Sequence, residues 1–153
     1  MIATIARIAR STAAERRLLA EAVAVLGVAS ALIALAPFRK VAALARLPAA
    51  PVPRADEQLA QIQAVRWAVT ASARRVPWRA KCIEQGFAAQ WMLRRRAVPA
   101  VLHYGVTKRE GALAAHVWVR SGPNEVVGCE NSAEFTEVAQ FPAAALNVRE
   151  TGS

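Results

Sequence analysis

The stretch VPWRAKCIEQGFAAQWMLRRR, residues 76–96, decides how the rest of the chain is read. Cys82 stands near the start of a helix-patterned run. Phe87, Trp91 and Leu93, with Ala88 and Ala89, form its apolar face, and Arg94, Arg95 and Arg96 close its C-terminal end. A helix dipole favours a thiolate at the first turn and cations at the last. Further on, His116 lies in LAAHVWV, residues 113–119, a run with strand character. A lone Cys at a helix start and a His on a later strand are compatible with thiol catalysis, because an imidazole can take the thiol proton.

Downstream of Arg96 the period changes from helical to extended. VPAVLHYGVT (98–107) reads as a strand, KREG (108–111) as a turn, and Leu113 to Arg120 as a second strand. SGPN (121–124) makes another turn, Glu125 to Gly128 begins a third strand, and Phe135 to Phe141 supplies a fourth. Helices followed by an antiparallel meander define an α+β protein. If the second hairpin pivots between Gly122 and Pro123, His116 lies opposite position 129. The group that orients its ring then comes from Gly128 to Asn131, since cross-strand neighbours sit about 5 Å apart. Glu130 and Asn131 are the side chains in that window able to accept from an imidazole N–H. The only Asp in the chain is Asp56, remote in sequence, so the third member is Glu130, Asn131 or nothing.

Upstream, the residues from Met1 to Arg10 read as an amphipathic start. Thr12 followed by Glu15 is a capping box that opens a helix near Ala13. That helix runs through LLAEAVAVLGVASALIALA and ends before Pro37. Its apolar length is close to the roughly 20 residues a membrane span needs. Glu21 interrupts it and basic residues flank both ends, so a packing helix, a membrane contact and a cleaved presequence all remain open. FRKVAALARL (38–47) reads as a short basic amphipathic helix, and Pro48, Pro51 and Pro53 form a semi-rigid connector. The expected division is a hydrophobic and basic helical region over 1–50 and a second domain over 54–150. Asp56 is the expected N-cap of a helix whose stripe is Leu59, Ile62, Val65 and Val69, finished by Arg74 and Arg75. Pro77 then breaks the chain.

The composition sets wider bounds. The chain has 153 residues, 55% of them hydrophobic, and a net charge of +9. It builds a core easily, and its charge suits an acidic partner, a membrane surface or nucleic acid without choosing among them. Two cysteines, Cys82 and Cys129, are too few for a disulfide scaffold and fit a reducing, cytoplasmic setting, with membrane association open. No Cys/His cluster and no glycine-rich nucleotide motif occurs, so neither a metal nor a cofactor is expected. Arg94 to Arg96 lacks interleaved aromatics and reads as a solvated helix end, so a nucleic-acid partner is not expected. Cys129 reads as a small core residue, and His103 as a strand-surface group. Trp78, Trp91 and Trp118 are first of all core aromatics.

The run CIEQGFAAQWMLRRRAVPAVLHYGVTKREGALAAHVWV, followed by VVGCENSAEF, resembles the transglutaminase-like leader peptidases of lasso-peptide biosynthesis, in the form without a fused recognition domain. The similarity spans about Val76 to Phe141. It implies a papain- or transglutaminase-like core in which a Cys-bearing helix packs on an antiparallel sheet, with the cysteine peptidase domain over 54–150. It further implies that Cys82 is the nucleophile and His116 the general base. The family's third position, commonly Asp, falls on or beside Glu130. The implied partners are a precursor leader peptide, a separate leader-recognition protein and an ATP-dependent macrolactam cyclase. An extended substrate is expected along a strand edge or groove near Trp78, Tyr104 and Trp118. Two rival readings stand beside this one: a catalytically silent scaffold of the same fold, and a basic membrane-associated adaptor.

Overall fold

In the computed structural model, residues 12–37, 40–41 and 53–142 are described. The amphipathic start over 1–10, most of the basic helix over 38–47 and most of the proline connector lie outside them.

The first helix, α1, is Ala13–Leu35. Its capping box forms as expected: the Glu15 N–H donates to Thr12 Oγ1 over 3.2 Å, and the Thr12 N–H donates to Glu15 Oε2 over 2.7 Å. The helix ends at Ala36, just before Pro37. Ala22, Leu26 and Ala29 are fully buried on one side of it, in a cluster shared with the next two helices. Ala22 and Ala29 are small enough for close backbone approach, and burying Leu26 contributes roughly 1.5–3 kcal/mol. Val28 and Leu35 lie together away from that side and are exposed, and Val23, on a separate flank, is 39% exposed. By length and composition α1 could cross a membrane.

Helix α2, Ala55–Ala73, buries Ile62, Val65, Ala68 and Val69. Two details differ from the sequence expectation. Asp56 lies inside the first turn, with Arg54 in the cap position and no side-chain cap bond. Leu59 is 44% exposed, because the core-facing stripe begins one turn later, at Ile62. Helix α3, Cys82–Arg95, starts on the cysteine itself and buries Phe87, Ala88, Ala89, Met92 and Leu93, leaving Trp91 half-buried.

The sheet contains β1 (Val101–Arg109), β2 (Ala112–Ser121), β3 (Asn124–Val127) and β4 (Thr136–Phe141), all antiparallel, in the order β3-β2-β1-β4. The α+β class is as expected. The first three strands form the anticipated meander, but the fourth pairs with β1 instead of β3. The chain from Gly128 to Phe135 therefore crosses from one side of the sheet to the other.

Leu102, Val117 and Val119 face α3, and Gly86 marks the point of closest approach. A Cβ there would lie 2.6 Å from Val117 Cγ1, so any side chain would push the helix off the sheet. Gln90, fully buried, donates its two amide N–H bonds to the carbonyls of Ala100 (3.1 Å) and Phe141 (2.6 Å). It thereby holds α3 to the start of β1 and the end of β4. Arg96 donates to both carboxylate oxygens of Glu21, at 3.0 and 2.6 Å, and ties the end of α3 to α1. The arginines closing α3 are thus partly interhelical fasteners and not only a solvated end.

Candidate active site

Cys82 and His116 line one cleft of about 350 Å³, together with Thr70, Ala73, Arg74, Gln85, Val127, Gly128 and Glu130. Three elements build it. Helix α3 presents Cys82 in its first turn, where unpaired backbone N–H groups and the positive end of the dipole converge. Gln85, one turn on, donates to the Ala80 carbonyl over 2.9 Å and holds the segment leading into the cysteine. Helix α2 supplies Thr70, Ala73 and Arg74 as the facing wall.

Strand β2 supplies His116. Pairing between β2 and β3 ends at Val119–Val127, after an irregularity between Val119 and Arg120. Beyond that pair β3 no longer covers β2, and the chain turns away at Gly128. This leaves the half-buried His116 at the mouth of the cleft.

His116 Nε2 lies 2.7 Å from the carbonyl oxygen of Gly128. A carbonyl only accepts, so Nε2 carries the hydrogen and Nδ1 is the proton-accepting nitrogen of the neutral ring. Gly128 has φ +72°, and a Cβ at that position would sit 2.5 Å from the Val117 carbonyl oxygen. Only glycine fits there. Phe135, at the far end of the crossing segment, packs on the imidazole with centroids 4.9 Å apart. The Trp118 ring lies 6.1 Å from the imidazole, centroid to centroid.

The group touching the imidazole falls within the expected 128–131 window, but it is main chain. Glu130 does not reach the ring. Its side chain is 75% exposed and lies 4.0 Å from Arg66. Asn131 is exposed and precedes a short 3₁₀ turn at Ser132–Glu134. The displacement has a simple cause. The irregularity in the hairpin adds one residue to the register, and the left-handed turn at Gly128 aims its carbonyl where a side chain was expected.

The three aromatics expected beside substrate do not line the cleft. Trp78 packs against α1 near Gly27. Tyr104 packs against the hydrophobic core from β1, an interior strand of the sheet. Trp118 is buried over Gly105 and stacked on His103 with centroids 5.5 Å apart. Because β4 pairs with β1, no open strand edge exists beside Tyr104. His103 itself lies 2.8 Å from Glu137 Oε2.

Cys129 is buried, its thiol directed at the carbonyls of Val119 and Val127, and burial pushes that thiol up from its ordinary pKa. Both cysteines are free. Among the described residues no group of His, Cys, Asp and Glu could hold a metal ion. Of the other cleft residues, Thr70 and Gln85 carry no sequence signal of their own, whereas Arg74 is legible only as a helix end and Gly128 only as one end of the register window.

A helix-borne cysteine and a strand-borne histidine thus line one cleft, with the cysteine helix preceding an antiparallel sheet. Residues 22–140 match the Transglutaminase-like superfamily, and the chain belongs to that superfamily. No curated protein and no solved structure matches the chain.

Proposed function

We propose that this protein is a cysteine peptidase that removes the leader from a ribosomally made lasso-peptide precursor. The observation that carries the reading is the shared cleft: Cys82 in the first turn of α3, and His116 held by the Gly128 carbonyl with Nδ1 as its acceptor. Cys82 passes its proton to His116, and the sulfur attacks the scissile carbonyl carbon. The C–N bond breaks, the imidazolium returns the proton to the departing amine, and water hydrolyses the thioester. Backbone N–H groups at the start of α3 receive the oxyanion. Glu130, at the cleft rim, contributes charge and not ring orientation.

The proposed partners are the precursor leader, a separate leader-recognition protein and a macrolactam cyclase that closes the ring. The resemblance of residues 76–141 supports this assignment, and the superfamily match supports its coarser form. The test is incubation of the purified protein with precursor peptide and recognition protein. Leader release by wild type, lost in both Cys82→Ala and His116→Ala with peptide binding retained, is the expected result. Unchanged release in either variant removes the proposal, and binding without release by wild type favours the silent scaffold.

The apolar outer side of α1 favours one addition, a membrane contact at Val28 and Leu35. Vesicle co-sedimentation that survives Val28→Gln with Leu35→Gln would remove it. Those exposed positions are a better probe than deleting α1, which supplies core residues.

A further inference from the structure

A second depression, of about 660 Å³, runs along the outer side of α2 and is lined by Gln63, Arg66, Trp67, Thr70, Arg74 and Arg75, with Ala71 at its floor. Thr70 and Arg74 also line the Cys82–His116 cleft, so the two depressions adjoin. The lining holds three arginines and no carboxylate. Arg74 and Arg75 are exposed, the Arg66 side chain is half exposed, and Trp67 is 39% exposed, large for a tryptophan on a helix with a buried side available.

We infer that this groove binds an acidic segment of the peptide substrate and delivers the adjoining bond to Cys82. This inference rests on the peptidase reading above and names the substrate class of that same site. Charge complementarity selects the occupant: guanidinium groups match carboxylates, and Trp67 offers apolar cover for the intervening side chains. The molecule itself supplies a stand-in, since Arg66 already faces a carboxylate, that of Glu130, at 4.0 Å. Both side chains are at least half exposed, so the pair is weak and an incoming carboxylate can displace it.

Length fits as well. From Gln63 to Arg75 the helix rises about 18 Å, the span of roughly five or six residues of extended peptide. The acidic stretch is therefore expected within about six residues of the cut bond. A nucleic acid is disfavoured, because a single tryptophan provides no run of stacking platforms and the groove empties into a cleft holding a thiol.

The experiment measures binding of a fluorescein-labelled acidic peptide of about twelve residues to the full chain, against an Asn/Gln counterpart and a single-stranded oligonucleotide. The acidic peptide is expected to bind, more weakly as salt rises, and to slow alkylation of Cys82 by iodoacetamide. Changing Arg66, Arg74 and Arg75 together to Gln should weaken it about tenfold or more. Changing Arg17, Arg79 and Lys108 to Gln, an equal charge loss elsewhere, should change it less than about twofold. Glu130→Gln, which removes the competing carboxylate, should tighten it about twofold to fivefold. These positions are all exposed, and unaltered circular dichroism shows that the variants fold. Equal binding of the Asn/Gln peptide, equal loss in the two triple variants, or tighter oligonucleotide binding with the same arginine dependence would overturn the inference. The two readings fail separately. Acidic-peptide binding with no leader release removes the peptidase and keeps the groove, and leader release with no acidic preference does the reverse.

Discussion

The imidazole of His116 donates from Nε2 to the main-chain carbonyl of Gly128, 2.7 Å away. A carbonyl orients the ring without adding a full negative charge beside it. The site thus depends on a backbone conformation that one residue type supplies.

Gly128→Ala is accordingly expected to damage function more than Glu130→Gln. A Cβ at position 128 meets the Val117 carbonyl at 2.5 Å, so the strand end must move and the carbonyl must swing. The left-handed conformation alone costs about 1–2 kcal/mol in a non-glycine residue. On the proposed peptidase reading, a ring displaced by about 1 Å is expected to lower leader cleavage about 100-fold. Steady-state rates for the two variants, with melting temperatures alongside, check this. An inactive Glu130→Gln beside a near-normal Gly128→Ala would reassign the orienting role to the carboxylate.

The two thiols should react very differently. Cys82 is half-buried in the cleft, whereas Cys129 is buried, hydrogen-bonded to carbonyls and kept protonated by its surroundings. Iodoacetamide at neutral pH is expected to label Cys82 and spare Cys129 in the native protein, with both labelled after unfolding. Peptide mapping by mass spectrometry reads the result directly.

The clasp between Glu21 and Arg96 makes stability fall in acid. The hydrogen bond from Arg96, with attraction from Arg96 and Arg95, holds the Glu21 carboxyl below the usual carboxylate range, against the opposing effect of burial. The folded state then binds that proton more weakly than the unfolded state does. Its contribution is complete above the ordinary carboxylate range and is lost as pH falls through the depressed value. Glu21→Gln should cost about 1.5–3 kcal/mol near neutral pH and flatten the acid limb of the stability curve. Denaturant titrations at several pH values test it, and an unchanged slope would show that the pair does not link α1 to α3.

Gln90 offers a separate test of how the sheet is held. Gln90→Leu keeps the buried volume but strips partners from the carbonyls of Ala100 and Phe141. A loss of about 1–3 kcal/mol is expected. Hydrogen exchange should quicken first at β4, whose C-terminal end this side chain pins.

Much of this protein is legible along the chain, because caps, prolines and periodicity act over a few residues. The Thr12–Glu15 box, the stop at Pro37, the helix opening on Cys82 and the β1–β2 and β2–β3 hairpins are all local choices. The class, α+β, and the pairing of a helix cysteine with a strand histidine follow from them. Tertiary structure decided what no local signal encodes. Placing β4 beside β1 sends the segment from Gly128 to Phe135 across the end of β2, which brings a carbonyl and a phenyl ring onto His116. It also closes the strand edge near Tyr104. The physical reason is range: helix ends and turns are governed by neighbours in sequence, whereas strand order and the partner of a buried polar group depend on which distant surfaces pack together.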